Sequence, residues 1–571
     1  MLRIILTLVI LFTSYGVYPN NLPIIEYNSI NHPVISKTGM VVSQRQSASE
    51  VGAEILRKGG NAVDAAVATG LALAVVLPRA GNLGGGGFMV VYLKDADKTI
   101  TIDYRERAPA SAHRDLFLDE KGNYDKNKAQ FSLLSAGVPG TVAGLHLALT
   151  KYGTMSWEEV LEPSIKLAEE GFAVPYDLAN ILASSRYKKR LSSNIAAAES
   201  YYKKDKSNYE AGETLKLPDL AWTLRQLAEY GPDAFYKGEI AKKIVQEMER
   251  NNGLITFEDL ENYKAVERPP VEGTYKDFRI VSMPPASSGG VHLIQMLNML
   301  EEYPINEMGF GSADSIHILA EVMKRAYADR SKHLGDMDFY DVPFSLMSKK
   351  YSRYLNKSIS VKVRTASKDV FPGDPYPYES PDTTHFSVMD QYGNVVSNTY
   401  TLNFSYGSGI MIPGTGMLMN NEMDDFSSKP GVPNGYGLLG SEANSIQANK
   451  RPLSSMTPTI IFKDDKPYLV LGSPGGSRII TTVLQVALNV MEHKMNVAQA
   501  VNSPRIHHQW LPEVLMMEKG FGPDTEKILK EKGYNLYPSS TMGSVQAIIK
   551  EGEYFYGAAD PRRPGSGAVA P

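Results

Sequence analysis

Residues 383–403 hold a group of hydroxyl and imidazole side chains whose spacing suits a reaction site. Residues 383–390 alternate in polarity, as a half-buried β-strand does, and 391–394 form a turn signal. Residues 395–403 then return as a second strand. A hydroxyl becomes a useful nucleophile only when a base removes its proton, so the groups that this hairpin brings to each hydroxyl decide its chemistry.

The polarity of the two strands predicts the register of the hairpin. With the turn centred on Tyr392, Thr383 lies opposite Thr401, one face collects the polar side chains and the other is apolar. A slip of one residue would mix the two faces. Opposed side chains in an antiparallel pair are close enough to touch, so we expect Thr383 and Thr401 to share a hydrogen bond. Periodicity alone nevertheless favours a plain edge hairpin whose threonines serve β-propensity.

The segment Pro-Asp-Thr-Thr-His-Phe-Ser-Val at 381–388 resembles the processing site of the γ-glutamyltransferases, which are N-terminal-nucleophile hydrolases. Further blocks resemble the same family, in the family's order and over nearly the whole chain. They are Asp-Tyr-Arg-Glu-Arg-Ala-Pro at 103–109, Thr-Tyr-Thr-Leu-Asn at 399–403, Leu-Met-Asn-Asn-Glu-Met-Asp-Asp-Phe at 418–426, Asn-Lys-Arg-Pro-Leu-Ser-Ser-Met-Thr-Pro-Thr at 449–459 and Gly-Ser-Pro-Gly-Gly-Ser-Arg at 472–478.

The resemblance implies that the chain cuts itself between Asp382 and Thr383 and then uses Thr383 as its nucleophile. The Thr383 hydroxyl would attack the Asp382 carbonyl, and hydrolysis of the resulting ester would free the amine. An N-terminal amine has a pKa of ~7.7, so it can serve as the base near neutral pH. The same hydroxyl would then accept the γ-glutamyl group of glutathione or a related compound and pass it to water, an amino acid or a dipeptide.

The resemblance also implies roles for residues around this nucleophile. Gly475 and Gly476 would present backbone N–H groups to the oxyanion, although a glycine-rich turn needs no such role. Arg105 would bind the α-carboxylate of the substrate with its guanidinium fork, although a lone arginine is usually a surface ion pair. Ser454 and Ser455 would add hydroxyl donors.

A second set of residues would bind the rest of the glutamyl group. Asn403, Glu422 and Asp425 suit the α-ammonium. Glutamine also occurs in the family at position 422, and glutamate there should add a charge and tighten amine recognition. The loop 430–437 resembles the lid of many bacterial members, with Tyr436 covering the substrate, and it favours small peptides over polymeric γ-glutamyl chains.

The chain before the hairpin contains elements that must position these residues. Residues 41–77 read as two helices, the first capped by Ser47 with Glu50 and the second, which is apolar nearly all round, capped by Asn61. The glycine-rich segment 81–87 lacks the ending of a phosphate loop, which favours a tight packing loop over a nucleotide site.

Further elements are predicted along the chain. Strands are expected at 88–92 and 99–104, mostly helices over 137–336, and a strand-rich part after 383 with helices near 481–491 and 525–532. The resemblance implies an α+β fold, the four-layer αββα sandwich of the N-terminal-nucleophile hydrolases, built jointly by two autoprocessed fragments.

Three segments divide the sequence. Residues 1–16 read as a secretory signal peptide, with Arg3 before a short apolar stretch. Residues 17–382 would be the large subunit, in which 367–382 is an exposed, proline-rich linker end. Residues 383–571 would be the small catalytic subunit, and the two would form a heterodimer from one precursor.

Composition limits the other functions. The 571 residues include 59 Lys+Arg and 63 Asp+Glu, so the net charge of -4 gives no case for a nucleic acid or anionic membrane as partner. There is no cysteine, which fits a periplasmic or secreted protein. We expect no cofactor and no metal, because His507 and His508 point to opposite faces of a strand, and no membrane span in the mature form.

Two other interpretations stay open. One is a related amidase of the same superfamily, such as a cephalosporin acylase or a poly-γ-glutamate transpeptidase. The other is an uncut periplasmic amino-acid-binding protein without catalytic activity. The lid-like loop and the complete amino-acid-binding set favour the transferase.

Overall fold

A computed structural model describes residues 29–371, 383–429 and 432–571. The expected signal peptide 1–16, the cleavage residue Asp382 and the first two residues of the lid-like loop lie outside the described residues. Of the expected linker 367–382, the structure describes 367–371, in which Ser367 and Val370 are buried.

The strands and helices follow one another along the chain. The strands are β1 (Val34–Ser36), β2 (Gly39–Ser43), β3 (Gly86–Leu93), β4 (Lys98–Tyr104), β5 (Phe172–Ala173), β6 (Thr214–Leu215), β7 (Val266–Arg268), β8 (Val271–Tyr275), β9 (Phe278–Ser282), β10 (Thr384–Asp390), β11 (Val395–Thr401), β12 (Met411–Ile412), β13 (Met417–Leu418), β14 (Thr459–Lys463), β15 (Lys466–Gly472), β16 (Ile506–His507), β17 (Leu515–Met517), β18 (Leu536–Pro538), β19 (Gln546–Glu551), β20 (Tyr554–Ala559) and β21 (Gly567–Val569). The α-helices are α1 (Gln46–Arg57), α2 (Ala62–Val76), α3 (Lys126–Phe131), α4 (Thr141–Tyr152), α5 (Trp157–Glu170), α6 (Tyr176–Ala183), α7 (Ser185–Ser192), α8 (Ile195–Tyr201), α9 (Pro218–Tyr230), α10 (Asp233–Tyr236), α11 (Glu239–Arg250), α12 (Phe257–Glu261), α13 (Gly289–Leu300), α14 (Ile305–Met308), α15 (Ala313–His333), α16 (Lys349–Asn356), α17 (Arg478–Met491), α18 (Val497–Asn502) and α19 (Pro523–Glu531).

Two seven-stranded antiparallel sheets form the centre of the molecule. The strand order is β21-β2-β10-β11-β3-β4-β7 in the first sheet and β1-β20-β19-β15-β14-β9-β8 in the second. Apolar side chains of both sheets, among them Val90 and Val470, meet between them. Helices including α1, α2 and α4 cover the outer face of the first sheet, and α13, α15 and α17 cover that of the second. The expected αββα sandwich is therefore confirmed.

Both sheets combine strands from before residue 371 and after residue 383. In the first sheet, β10, β11 and β21 lie among β2, β3, β4 and β7. In the second, β14, β15, β19 and β20 lie between β1 on one side and β9 and β8 on the other. Neither part of the chain completes a sheet without the other.

The predicted register of the central hairpin is confirmed. β10 pairs with β11 so that Thr384 lies opposite Tyr400 and Met389 opposite Val395. β10 also pairs with β2, and β11 pairs with β3. The hairpin is therefore central in its sheet, and the plain edge hairpin is excluded.

The polar face of the hairpin points at the second sheet. The Ser387 hydroxyl donates to the carbonyl of Gln546 at 3.0 Å, and the Ser397 hydroxyl donates to that of Leu471 at 3.1 Å. The opposite face packs on α2, where the Tyr400 hydroxyl donates to the Gly70 carbonyl at 2.8 Å. Because both faces are buried and these three hydroxyls have fixed partners, a slip in register would be unfavourable.

The prediction for 41–77 is correct for the second helix and wrong at the start of the first. Asn61 caps α2 in a capping box, and every residue of α2 is buried. Residues 41–43, however, belong to β2, and Ser47 lies inside α1, which begins after Arg45 without a side-chain cap. Pairing of β2 with β10 and β21 overrides the local helix signal.

The glycine-rich loop packs against the end of β11. The Asn82 Nδ2 donates to the Thr401 carbonyl at 2.9 Å, and its Oδ1 accepts from the Gly85 N–H at 2.8 Å. A Cβ on Gly85 would lie 2.0 Å from the Thr401 carbonyl oxygen. The expected packing loop is confirmed, and it fixes the backbone of Thr401.

We predict that Gly85→Ala destabilises the protein, because the methyl group must displace the end of β11. Overpacking of this severity costs about 3 kcal/mol or more. Differential scanning calorimetry would detect it as a lower Tm. Gly70→Ala in α2 is the control, since its Cβ would make an ordinary contact 3.4 Å from Phe386. Equal Tm values for the two variants would contradict the packing role of Gly85.

Candidate active site

Thr383 and Thr401 meet at the open end of the central hairpin. Thr383 directly precedes β10 and is 4% exposed. Its hydroxyl donates to the Thr401 hydroxyl at 3.4 Å, as the register predicts. The Thr401 Oγ1 also accepts from the backbone N–H of Asn403 at 2.9 Å, where the backbone turns away with φ 74°. The two threonines form one wall of a small cavity.

The cavity brings together most of the residues singled out in the sequence. Its volume is about 20 Å³, room for about one water molecule. It is lined by Arg105, Thr383, Thr401, Glu422, Asp425, Tyr436, Leu438, Ser454, Ser455, Met456, Gly476 and Ile479. Gly475 directly precedes the lining residue Gly476, and Asn403 lies two residues beyond Thr401.

Arg105 is buried at the centre of an ion-pair cluster and is no surface residue. Its Nη1 donates to Glu422, and its Nη2 donates to Asp425 Oδ2 at 2.6 Å. Its Nε donates to the Pro452 carbonyl at 3.1 Å, and Glu106 lies 3.5 Å from Nη1. The guanidinium fork that the sequence suggested for a ligand carboxylate thus holds two of the protein's own carboxyl groups.

Three carboxyl groups therefore share one guanidinium. Burial raises the pKa of Glu106 to about 7, although the Arg105 charge opposes the rise. Burial also raises the pKa of Glu422 well above its usual range. The charge of Arg105 opposes this rise, and the charges of Glu106 and Asp425 reinforce it. The pKa of Asp425 is raised for the same reason. Burial thus opposes the charge expected at Glu422, while its contact with Arg105 favours that charge.

Three buried acceptors in and near the cluster have no donor among the described residues. Asn403 Oδ1, Glu422 Oε2 and Glu106 Oε1 are buried and accept no hydrogen bond from any residue that the structure describes. Asn403 Nδ2 meanwhile donates to the Asn421 carbonyl at 2.9 Å, which directs its Oδ1 away from that carbonyl. A buried acceptor without a donor is costly, so this group of oxygens suits a cationic ligand with several N–H donors.

The glycine pair adopts a conformation that suits donation into the cavity. Gly475 has φ 141° and Gly476 has φ 55°, values that favour residues without a Cβ. Among the described residues, neither backbone N–H donates to another group. The Gly476 backbone also lies under the Tyr436 ring, because a Cβ there would be 2.5 Å from it.

Tyr436 covers the cavity. Its hydroxyl donates to the Asn403 carbonyl at 2.6 Å, and its ring packs edge-on against Phe404 with centroids 5.5 Å apart. Asp424 holds the described part of the lid-like loop, since its Oδ2 accepts from the Gly435 N–H at 2.9 Å. The loop is thus tied to the site from both sides.

The histidines His385 and His507 are buried and serve as hydrogen-bonding groups. The His385 ring bridges Thr399 at 2.8 Å and Ser387 at 3.0 Å, and burial lowers its pKa to about 3. His507 contacts Thr481 at 2.8 Å, and burial lowers its pKa to about 3 as well. In the described ranges, no group of three or more histidine, aspartate or glutamate side chains is arranged so that it could hold a metal ion. His385 is therefore a neutral hydrogen-bonding group between the sheets.

Sequence reasoning missed two charged residues at this site. Glu106 stands beside Arg105 in the block 103–109, so the motif contained its signal although only Arg105 was assigned a role. Arg330, which contacts Ser455, lies near the end of helix α15 without any local motif.

Comparison with known proteins extends the resemblance to nearly the whole chain. The sequence profile of the Gamma-glutamyltranspeptidase family matches residues 48–570. A glutathione hydrolase proenzyme of Escherichia coli is 53% identical over 534 residues, covering 93% of this chain and 91% of the relative. One of a Pseudomonas species is 44% identical over 543 residues, covering 93% and 94%. The crystal structure of cephalosporin acylase from Bacillus halodurans has a TM-score of 0.83 at 26% identity, covering 96% of this chain and 98% of that one.

Proposed function

This chain belongs to the γ-glutamyltranspeptidase family, and we propose that Thr383 carries out its chemistry. It is an enzyme, a γ-glutamyltransferase that acts on glutathione. The observation that carries the assignment of Thr383 is the hydroxyl pair with Thr401 in the wall of the cavity that Arg105 also lines.

The first reaction is a self-cut. The Thr383 hydroxyl attacks the Asp382 carbonyl, the peptide C–N bond breaks, and its nitrogen takes up a proton to become the Thr383 amine. Water then hydrolyses the ester, which releases the Asp382 carboxylate and restores the hydroxyl. The products are a large fragment that ends at Asp382 and a small fragment that starts at Thr383, consistent with relatives described as proenzymes.

The second reaction transfers the γ-glutamyl group. The Thr383 amine accepts the hydroxyl proton while the hydroxyl oxygen attacks the γ-carbonyl of the substrate. The leaving amine takes a proton and departs, and a γ-glutamyl ester remains on Thr383. Water or the amine of an amino acid or dipeptide then takes the group. Thr401, which contacts the hydroxyl from the neighbouring strand, fixes the rotamer of the nucleophile.

The developing negative charge on the carbonyl oxygen needs donors already in place. Gly475 and Gly476 have N–H groups without other partners in the described chain, at the cavity wall next to Thr383. Donors that need no rearrangement stabilise an oxyanion most effectively. We assign these two groups to the oxyanion.

The charged groups of the substrate replace ion pairs that Arg105, Glu422 and Asp425 make with one another. Its α-carboxylate takes a place on the Arg105 fork, with Ser454 and Ser455 as further donors. Its α-ammonium takes the carboxyl oxygens of Glu422 and Asp425. Because the zwitterion brings one positive and one negative charge, the net charge of the buried cluster does not change when the substrate binds. Asn403 Oδ1 supplies a further acceptor, and Tyr436 moves aside for entry and then covers the substrate.

The compartment follows from the sequence. Residues 1–16 have the pattern of an export signal, and the chain has no cysteine. None of the helices in the described ranges has the length and apolar character needed to span a membrane. We propose a periplasmic or secreted enzyme whose subunits are 17–382 and 383–571.

The deciding experiment follows the self-cut and the substrate together. We expect the purified chain to give two bands on a denaturing gel, the smaller one beginning at Thr383 on N-terminal sequencing, and to hydrolyse γ-glutamyl-p-nitroanilide. Thr383→Ala should give one uncut, inactive band. A wild-type chain that stays uncut would favour the amino-acid-binding protein, and a preference for glutaryl amides would favour the acylase.

Thr401→Val tests the contact that the hairpin register provides. Valine keeps the shape and β-branching but removes the hydroxyl, so we expect slow self-cutting and a kcat lower by ~10²–10⁴, with little change in KM. Thr399→Val is the control, because it removes the hydroxyl bonded to His385 and leaves Thr383 untouched. A Thr401→Val enzyme that cuts and turns over like wild type would exclude the orienting role.

Glu422→Gln tests the protonation of the carboxyl cluster. A carboxyl group with a raised pKa is neutral below that pKa and anionic above it, and only the anion attracts an ammonium group strongly. Wild-type affinity for L-glutamate should therefore rise as the pH rises through the raised pKa of Glu422, while the glutamine variant lacks this rise and resembles wild type at lower pH. Inhibition constants measured across this range check it, and parallel profiles would contradict it.

A further inference from the structure

A second buried guanidinium lies directly behind the cavity. Arg330, in the last turn of α15, is 5% exposed. Its Nε donates to Ser288 Oγ at 2.9 Å, and its Nη2 donates to Ser455 Oγ at 3.2 Å. Across the part of the chain that the structure describes, no carboxylate forms an ion pair with it, in contrast to Arg105.

The charge of Arg330 acts on the same cluster. Burial lowers its pKa to about 10, and the charge of Asp425 opposes this shift while that of Arg105 reinforces it. Arg330 therefore remains a cation at neutral pH. A buried charge without a contacting counterion is unfavourable until an anion comes close, so the region favours an anionic ligand group.

The hydrogen bonds of the two serines have a fixed direction. A guanidinium only donates, so Ser455 Oγ must accept from Arg330, and the proton of Ser455 is directed to another partner. Ser454 Oγ likewise accepts, from the backbone N–H of Met456 at 3.1 Å. Both serines line the cavity beside Arg105. Both hydroxyl protons are thus available to a ligand acceptor.

We propose that Arg330 is a positioning and specificity-determining residue for the α-carboxylate of the substrate. It orients the Ser455 hydroxyl as a donor and adds a positive charge that an anionic head group balances. Arg330 acts through Ser455 and does not itself touch the substrate. This inference rests on the proposed function of the Thr383 site. It assigns to Arg330 part of that site's selectivity for amino-acid head groups.

The test compares ligands with and without the α-carboxylate. Arg330→Gln and Arg330→Lys are made in the full chain, and self-cutting is followed on a gel. KM and kcat are measured with γ-glutamyl-p-nitroanilide, and inhibition constants with L-glutamate and with 4-aminobutanoate, which lacks the α-carboxylate. For Arg330→Gln we expect KM and the inhibition constant of L-glutamate to rise roughly 10- to 100-fold, which is the effect of losing a hydrogen bond to a charged group.

Further readouts separate this role from a structural one. For Arg330→Gln we expect kcat and the inhibition constant of 4-aminobutanoate to stay near the wild-type values. Arg330→Lys, which keeps the charge, should restore part of the affinity for L-glutamate. We also expect Arg330→Gln to have a smaller effect in the Ser455→Ala background than alone, because the orienting contribution is already lost there and only the contribution of the charge remains. A double-variant effect equal to the product of the single effects would overturn the proposal.

Other outcomes also decide. Equal weakening of both inhibitors would show that Arg330 does not recognise the carboxylate. Failure of both Arg330 variants to fold and cut would make it a structural residue and overturn the proposal. A wild-type chain that neither cuts itself nor hydrolyses the anilide would instead overturn the proposed function, and this inference with it, so the two failures are distinguishable.

Discussion

The pairing of β10 with β11 is the constraint on which the rest of the site depends. It places Thr383 against Thr401, and its polar face bonds to carbonyl groups of the second sheet. Its apolar face rests on α2. A change of one residue in register would place unpaired hydroxyls against the helix and apolar side chains against polar ones. The sandwich is thus stable only with the hydroxyl pair at the mouth of the cavity.

The second determinant is a cluster of buried charges in which acids outnumber bases. Glu106, Glu422 and Asp425 surround Arg105, and Arg330 lies behind them. Burial disfavours the charged form of these carboxyl groups, and the charge of Arg105 opposes that effect. A ligand that carries both an ammonium and a carboxylate matches this arrangement better than a ligand with one charge. We propose that incomplete charge compensation within the protein contributes to selectivity for amino-acid head groups.

The sequence predicted those features that local pattern determines. Alternation gave the hairpin register, and the asparagine at 61 gave the cap of α2, because both depend on neighbouring residues. The strand β2 was misread as helix, since its partners lie more than 300 positions along the chain. The raised pKa of Glu422 and the contact between Arg330 and Ser455 depend on burial and on distant packing, which no local spacing records. The sequence therefore identified the types of residue at the site, but it did not predict their pKa values or their ion pairs.

The interleaved sheets have a consequence for the life of the enzyme after its cut. As one chain, the molecule folds with both parts tethered, so their effective concentration is high. The proposed cut before Thr383 would leave each sheet with strands from two polypeptides, and neither fragment could leave without exposing unpaired strand edges on both. Reassembly from unfolded fragments would be bimolecular and would expose such edges to aggregation. Maturation thus turns a reversible fold into a kinetically trapped one, whose persistence depends on its rate of unfolding.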